Sequence, residues 1–160
     1  MSFVSLIIPL SAQETFYPDL ISRSAACLEE HYEDHEIILV DDGSLPNKAD
    51  EIAAILSTTS SVRCLYLSKP SVFGIAAIAG LQSAIGDFSV ILDPSTDSAD
   101  EIVPIISKAI QGFDVVYGVD PNSKKRRGLG RLAESLFHWY VSKFVHVQVP
   151  RFVTSLRCFS

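Results

Sequence analysis

The sequence predicts an α/β fold, a mainly parallel sheet covered by helices on both faces. Short Val/Ile/Leu-rich runs alternate with helical patterns throughout residues 1–120. The runs are almost continuously apolar, as strands buried on both sides are, and one helix separates each from the next. With 160 residues the chain has room for one domain with a sizeable core.

Val4-Ser5-Leu6-Ile7-Ile8 is β-rich and stops at Pro9, so it reads as the first strand. Leu20, Ile21, Ser24, Cys27 and Leu28 then recur at helical spacing. Residues 36–40 form a second strand, closed by Asp41-Asp42-Gly43-Ser44. Ala49, Ile52, Ala53 and Leu56 line one face of a second helix, and residues 62–67 read as a third strand. Gly74 to Ile85 is a third helix, with Ala77, Ile78, Leu81 and Ile85 on its expected buried side. Residues 88–92 are the fourth strand; Ile102, Ile105, Ile106, Ala109 and Ile110 mark the fourth helix; Val115–Gly118 closes the series.

Composition narrows the function classes. Hydrophobic residues make up 48%, with eight Gly and eight Pro, which excludes a disordered or collagen-like chain. No run approaches the roughly 18 uninterrupted apolar residues of a membrane span, and no basic segment precedes an apolar start. Cys27, Cys64 and Cys158 lack CxxC spacing and read as buried thiols of a reducing, cytoplasmic compartment. The net charge of −6 is polarised: residues 1–120 carry 18 acidic and 5 basic side chains, residues 121–160 one and eight. An acidic body argues against nucleic acid as partner, and a basic tail invites an anionic one. Gly128-Leu129-Gly130-Arg131-Leu132-Ala133 spells a dinucleotide fingerprint, but a cationic run precedes it where a strand should. His31 and His35 read as a solvent-exposed pair rather than a metal site.

In parallel sheets, ligands bind beyond the C-terminal strand ends. Two of those ends carry carboxylates: Asp41-Asp42 after the second strand, and Asp93 with Asp97 after the fourth. Carboxylates there suit a ribose hydroxyl, a base N–H, or a cation that neutralises a diphosphate. Helix capping by Ser44 or Ser98 is the structural alternative.

These residues, in order, resemble a family 2 glycosyltransferase with the GT-A, Rossmann-like fold. The apolar strand closing on Ile8-Pro9, Val40-Asp41-Asp42-Gly43-Ser44, the Gly74–Asp87 helix and Phe113–Gly118 each match a family hallmark. Leu92-Asp93-Pro94-Ser95 falls where the family has its Asp-x-Asp. Arg131 with Ser135, then Ser155-Leu156-Arg157, resemble enzymes of the dolichyl-phosphate mannose synthase type, which glycosylate a polyprenyl phosphate.

The resemblance implies a nucleotide-diphosphate sugar as donor and transfer with inversion. Pro9, Asp41 and Asp42 inherit nucleoside contacts, and Asp93 the first position of a Mg²⁺ or Mn²⁺ site. Asp97 is the candidate replacement for the missing second carboxylate, since Ser95 occupies that position. Asp87 is expected to stabilise the turn between the third helix and fourth strand. Residues 1–120 would form the nucleotide-sugar core. Residues 121–160 would hold a basic amphipathic helix and the start of an acceptor-side region of the same domain, and the sequence leaves open whether Ser160 is its natural end. Arg127, Arg131 and Arg157 are candidates for orienting phosphates, and Lys124–Arg127 for docking on the inner face of an anionic membrane. Leu10-Ser11-Ala12, Val72 and Ser95 depart from the family pattern and favour a second reading, a non-catalytic binding module with a decayed metal site. The sequence leaves the oligomeric state open, a homo-oligomer included.

Overall fold

The computed structural model describes residues 2–10, 17–42, 48–119 and 153–160. In chain order the described elements are β1 (Val4–Leu10), α1 (Pro18–His31), β2 (His35–Asp41), α2 (Ala49–Thr58), β3 (Val62–Tyr66) and α3 (Phe73–Ser83). Then follow β4 (Phe88–Ile91), α4 (Ile102–Ala109) after a short 3₁₀ turn, β5 (Val115–Val119) and β6 (Val153–Phe159). Met1–Gly118 with Ser155–Ser160 form one compact unit, and Val119–Thr154 a second.

The six strands are ordered β3-β2-β1-β4-β6-β5. β3, β2, β1 and β4 are parallel, with Leu10 beside Asp41 and Asp41 beside Tyr66. Alternating side chains divide the core into two layers. Leu6, Ile8, Ile37, Leu39 and Val90 face α1, α2 and α4, while Ile7, Ile38, Val40 and Ile91 face α3. Helices thus cover both faces.

β1 runs through Pro9 to Leu10, beyond the expected stop. A proline in a central strand normally forfeits a ladder bond. Here the Ile7 carbonyl accepts from Leu92 N–H (2.9 Å), so Ile7 and, two residues on, Pro9 face β4. β4 ends at Ile91, so Pro9 lies where that ladder runs out, just past its last register pair, Ile7 with Ile91.

Several expectations change. β6 is an additional strand, antiparallel to β4 with Ile91 opposite Arg157, where no strand was read. On α3 the buried positions are Ala76, Ala77 and Gly80, whereas Ile78 and Ile85 are exposed. The cause is close approach: a Cβ on Gly80 would collide with Ile7 and sit 3.0 Å from Val40 Cγ2, so small residues face the sheet and large ones are forced outward. Finally, only Cys158 is buried; Cys27 and Cys64 are half-buried, and all three are free thiols. On α2 only Ile52 is buried, leaving Ala49 and Ala53 in solvent, and Ile110 after α4 is likewise exposed. His31 is exposed and His35 half-buried, each ring bonded to a nearby backbone carbonyl.

Candidate active site at the strand ends

The chain steps outward from β1 to β2 to β3, then returns to the other side of β1 as β4. Such a reversal opens a crevice beyond the strand ends, because the flanking connections leave in opposite directions. The end of β1, Pro9-Leu10, lies at its floor, flanked by β2 with Asp41-Asp42 and β4 leading to Asp93. Backbone bonds hold the rims: Asp42 N–H donates to the Leu10 carbonyl (3.3 Å) and Leu67 N–H to that of Asp41 (2.9 Å). Asp41, Asp42, Asp93 and Asp97 are all buried. Four carboxylates withdrawn from water at one sheet edge are costly unless bonded, so each must have a reason to be there.

The loop after β4 supplies part of that reason. Asp93 Oδ1 accepts from Ser95 Oγ (2.6 Å) and from Ser95 N–H (3.0 Å), a side-chain-closed turn. Asp97 Oδ2 accepts from Asp93 N–H (2.8 Å) and Oδ1 from the Thr96 hydroxyl (3.1 Å). Ser95 therefore serves as a donor that fixes the Asp93 carboxylate. Asp97 is turned inward to hold the loop. Burial pushes the Asp97 carboxyl up from its ordinary value; the Asp93 N–H and Thr96 bonds offset part of this, while the Asp93 and Glu101 charges add to it. Ser98 caps the following turn, its N–H donating to Glu101 Oε2 (3.0 Å), so that serine is structural.

Among the described residues no three His, Cys, Asp or Glu side chains stand close enough to hold a metal ion. The described residues alone build no closed cation cage there. They do present hard oxygen donors, the type Mg²⁺ or Mn²⁺ takes when phosphates and water complete its shell. The Asp93 loop fits that role with one carboxylate fixed by Ser95.

Arg157 sits on β6 beside Ile91, two residues before Asp93, and its Cζ lies 5.8 Å from the Tyr117 ring centroid. Arg127, Arg131 and the basic amphipathic stretch lie outside the described residues. Asp87 is where expected: its Oδ2 accepts from Phe3 N–H (2.9 Å) at the opposite end of the sheet. Sequence reasoning missed β6 itself, although Leu156 and Cys158 alternate inward with the period of a strand.

Residues 5–158 match the family described as glycosyl transferase family 2. The chain is 29% identical over 161 positions to an undecaprenyl-phosphate 4-deoxy-4-formamido-L-arabinose transferase of Shewanella sediminis, covering 99% of this chain and 48% of that protein. For the enzyme of the same name from Pectobacterium carotovorum the identity is 31% over 150 positions, with 92% and 43% covered. The chain thus spans less than half the length of these relatives. Among solved structures, the Pyrobaculum calidifontis mannosyltransferase PcManGT, in complex with GDP-Man and Mn²⁺, superposes with a TM-score of 0.62 at 16% identity, covering 99% of this chain and 44% of that one. S. aureus TarS 1-349 superposes with 0.56 at 19% identity, over 80% and 39%. The fold is that of the GT-A glycosyltransferases, and relatives named as transferases give no support to a non-catalytic module.

Proposed function

The chain belongs to glycosyl transferase family 2, and from that premise we propose that it binds a nucleotide-diphosphate sugar at the β1/β4 crevice and transfers the sugar, with inversion, to a polyprenyl phosphate. The observation that carries this reading is the set of buried carboxylates on the two strand ends flanking Pro9. The relatives' printed acceptor, undecaprenyl phosphate, and the GDP-Man and Mn²⁺ bound to PcManGT support the substrate classes.

Asp41 and Asp42 accept hydrogen bonds from the nucleoside, from ribose hydroxyls or a base N–H, with Pro9 packing beneath. Asp93, oriented by Ser95 and by the Asp97-braced loop, faces the diphosphate and with Asp97 behind it is the carboxylate that would hold Mg²⁺ or Mn²⁺. Such an ion, when bound, stabilises charge on the departing nucleotide diphosphate. The acceptor phosphate oxygen is already anionic, so its attack on the anomeric carbon needs no general base. That new C–O bond forms as the bond to the nucleotide diphosphate breaks on the opposite face. Arg157, with Arg127 and Arg131, orients phosphates by charge-assisted bonds. A lipid acceptor puts the protein at the cytoplasmic face of a membrane, with Lys124–Arg127 against anionic headgroups.

Calorimetric titration of UDP- and GDP-sugars, with and without Mn²⁺, tests the donor site. One of the two nucleotide series binds, Asp42→Asn weakens it regardless of metal, and Asp93→Asn abolishes the Mn²⁺-dependent part. Absence of binding by every nucleotide sugar under both conditions overturns the reading.

A further inference from the structure

Among the described residues, Arg23 is paired with Asp100 and Arg63 with Glu36, but Arg157 is paired with no carboxylate. That is unusual company for a cation in a body where residues 1–120 carry 18 acidic side chains. What the Arg157 guanidinium meets instead is an aromatic ring: its Cζ lies over Tyr117, 5.8 Å from the centroid.

The strands bring these two side chains together. β6 is antiparallel to β4, with Arg157 opposite Ile91, and β5 lies on its other side. Ser160 N–H donates to the Asp114 carbonyl (3.1 Å), three residues from Arg157 on one strand and from Tyr117 on the other, which sets Tyr117 opposite Arg157. Residues opposite one another share a face of the sheet. Ile91 and Phe159 pack on the α3 side, so Arg157 and Tyr117 face that side as well. α3 lies against β1, β2 and β4 there, and the Arg157–Tyr117 pair, farther out, is exposed.

A ring and a carboxylate hold a guanidinium differently. A carboxylate occupies its in-plane N–H donors, whereas a ring meets the face of the plane and leaves those donors open. The ring also limits the rotamers of a long side chain, so less freedom is lost when the donors bind. An arginine held this way suits a phosphate, which accepts two parallel N–H bonds. Asp93 lies two residues beyond Ile91, and a phosphate arriving beside that buried carboxylate is repelled unless a cation stands near.

We propose that Tyr117 is a positioning residue, its ring holding the Arg157 guanidinium ready for a phosphate of the substrate. The inference rests on Arg157 orienting substrate phosphates and names the side chain that keeps it in place.

The test is a double-mutant cycle on the 160-residue chain, read by calorimetry. GDP- and UDP-sugars with Mn²⁺ probe a donor phosphate, and farnesyl phosphate probes an acceptor phosphate. Arg157→Gln weakens binding at least about tenfold in one of the two series. In that series Tyr117→Val, which suits a strand, weakens binding about two- to fivefold, and Tyr117→Phe, which keeps the ring, by less than about twofold. In the Arg157→Gln background Tyr117→Val changes nothing further, a coupling that a purely structural tyrosine does not show. The Arg157 Nε–Hε signal in heteronuclear NMR spectra gives a reading without ligand: it carries a ring-current shift in wild type and Tyr117→Phe and loses it in Tyr117→Val. Wild-type affinity of Arg157→Gln or Tyr117→Val in both series, or an equal Tyr117→Val loss with and without Arg157, overturns the proposal; nucleotide-sugar binding that still depends on Asp42 then leaves the donor reading standing. An unshifted Arg157 signal in wild type overturns it too, whether or not the valine variant folds. Conversely, farnesyl phosphate binding that depends on both residues, with no nucleotide sugar bound, refutes the donor reading and sustains the role of Tyr117.

Discussion

Glu36 is the group on which the end of the sheet opposite the crevice depends, and Glu36→Gln tests that dependence. Its Oε1 accepts from the Ser5 hydroxyl (2.6 Å) and Ile85 N–H (3.1 Å), and its Oε2 from Arg63 Nε (2.8 Å). Arg63 continues the chain to Ser83, through Nη1 to the hydroxyl (2.6 Å) and Nη2 to the carbonyl (2.5 Å). Three strands and the end of α3 are thereby tied at one carboxylate. Glutamine keeps the shape but has one acceptor oxygen, so its amide must face either Arg63 or the Ser5–Ile85 pair. Facing Arg63 is cheaper, because the Arg63 side chain is 42% exposed and turns to water. The lost bond is charge-assisted, worth about 1.5–3 kcal/mol, and that exposure puts the cost near the lower half, about 2 kcal/mol. Urea unfolding followed by circular dichroism reads it directly, and the melting temperature falls by about 4–8 °C. The pH dependence has a definite sign. Burial alone raises the Glu36 carboxyl, but the Arg63 and Ser5 bonds, the Ile85 N–H and the Arg63 charge outweigh it and hold it below its ordinary 4.5. The stabilisation is fully present above pH 4.5 and is lost as pH falls through the lower folded value, so wild type and variant converge in acid. A variant within about 0.5 kcal/mol of wild type at neutral pH, or a gap that persists in acid, refutes the reasoning. Because the network lies away from the crevice, nucleotide-sugar affinity at 25 °C is unchanged.

Substitutions at three further positions probe packing and the Asp93 loop. A Cβ on Gly86 would lie 2.7 Å from Ser5 N and 2.9 Å from the Phe3 carbonyl, backbone atoms that cannot swing aside; Gly86→Ala lowers unfolding free energy by about 2–3 kcal/mol in urea titration, and a neutral result contradicts the packing. Asp97→Asn retains an acceptor for Asp93 N–H and changes stability by under about 1 kcal/mol, whereas Asp97→Ala orphans that buried amide and costs about 1–3 kcal/mol, the difference being measured in the same titration. Ser95→Asp removes the 2.6 Å donor to Asp93 and adds a like charge, lowering the melting temperature in metal-free buffer; Mn²⁺ then raises it more than in wild type, and equal shifts would remove Asp93 from the proposed cation site.

How legible each part was depended on whether its physics is local. The parallel strands were readable because burial on both faces demands apolar side chains at every position, as in Ile37 to Val40. β6 was not, because the same period-2 signal in Val153–Phe159 is interrupted by polar Thr154, Ser155 and Arg157 and follows a long basic stretch. α3 misled for a related reason. Periodicity locates an apolar face only when the other face is polar, and here Ile75 and Ile78 oppose Ala76, Ala77 and Gly80, so which side meets the sheet was decided by the room beside Ile7 and Val40. The same distinction governs the site. Asp41, Asp42 and Asp93 were legible as carboxylates at strand ends, but residue type says nothing about where a lone pair points. Read as a letter, Ser95 is a lost ligand; in the fold its N–H and hydroxyl both donate to Asp93 Oδ1, while Asp97 closes the loop from behind. The substitution therefore replaces a second charge with an orienting donor, which spares the buried edge a like-charge repulsion and leaves any cation there to draw its remaining ligands from the substrate's own phosphates.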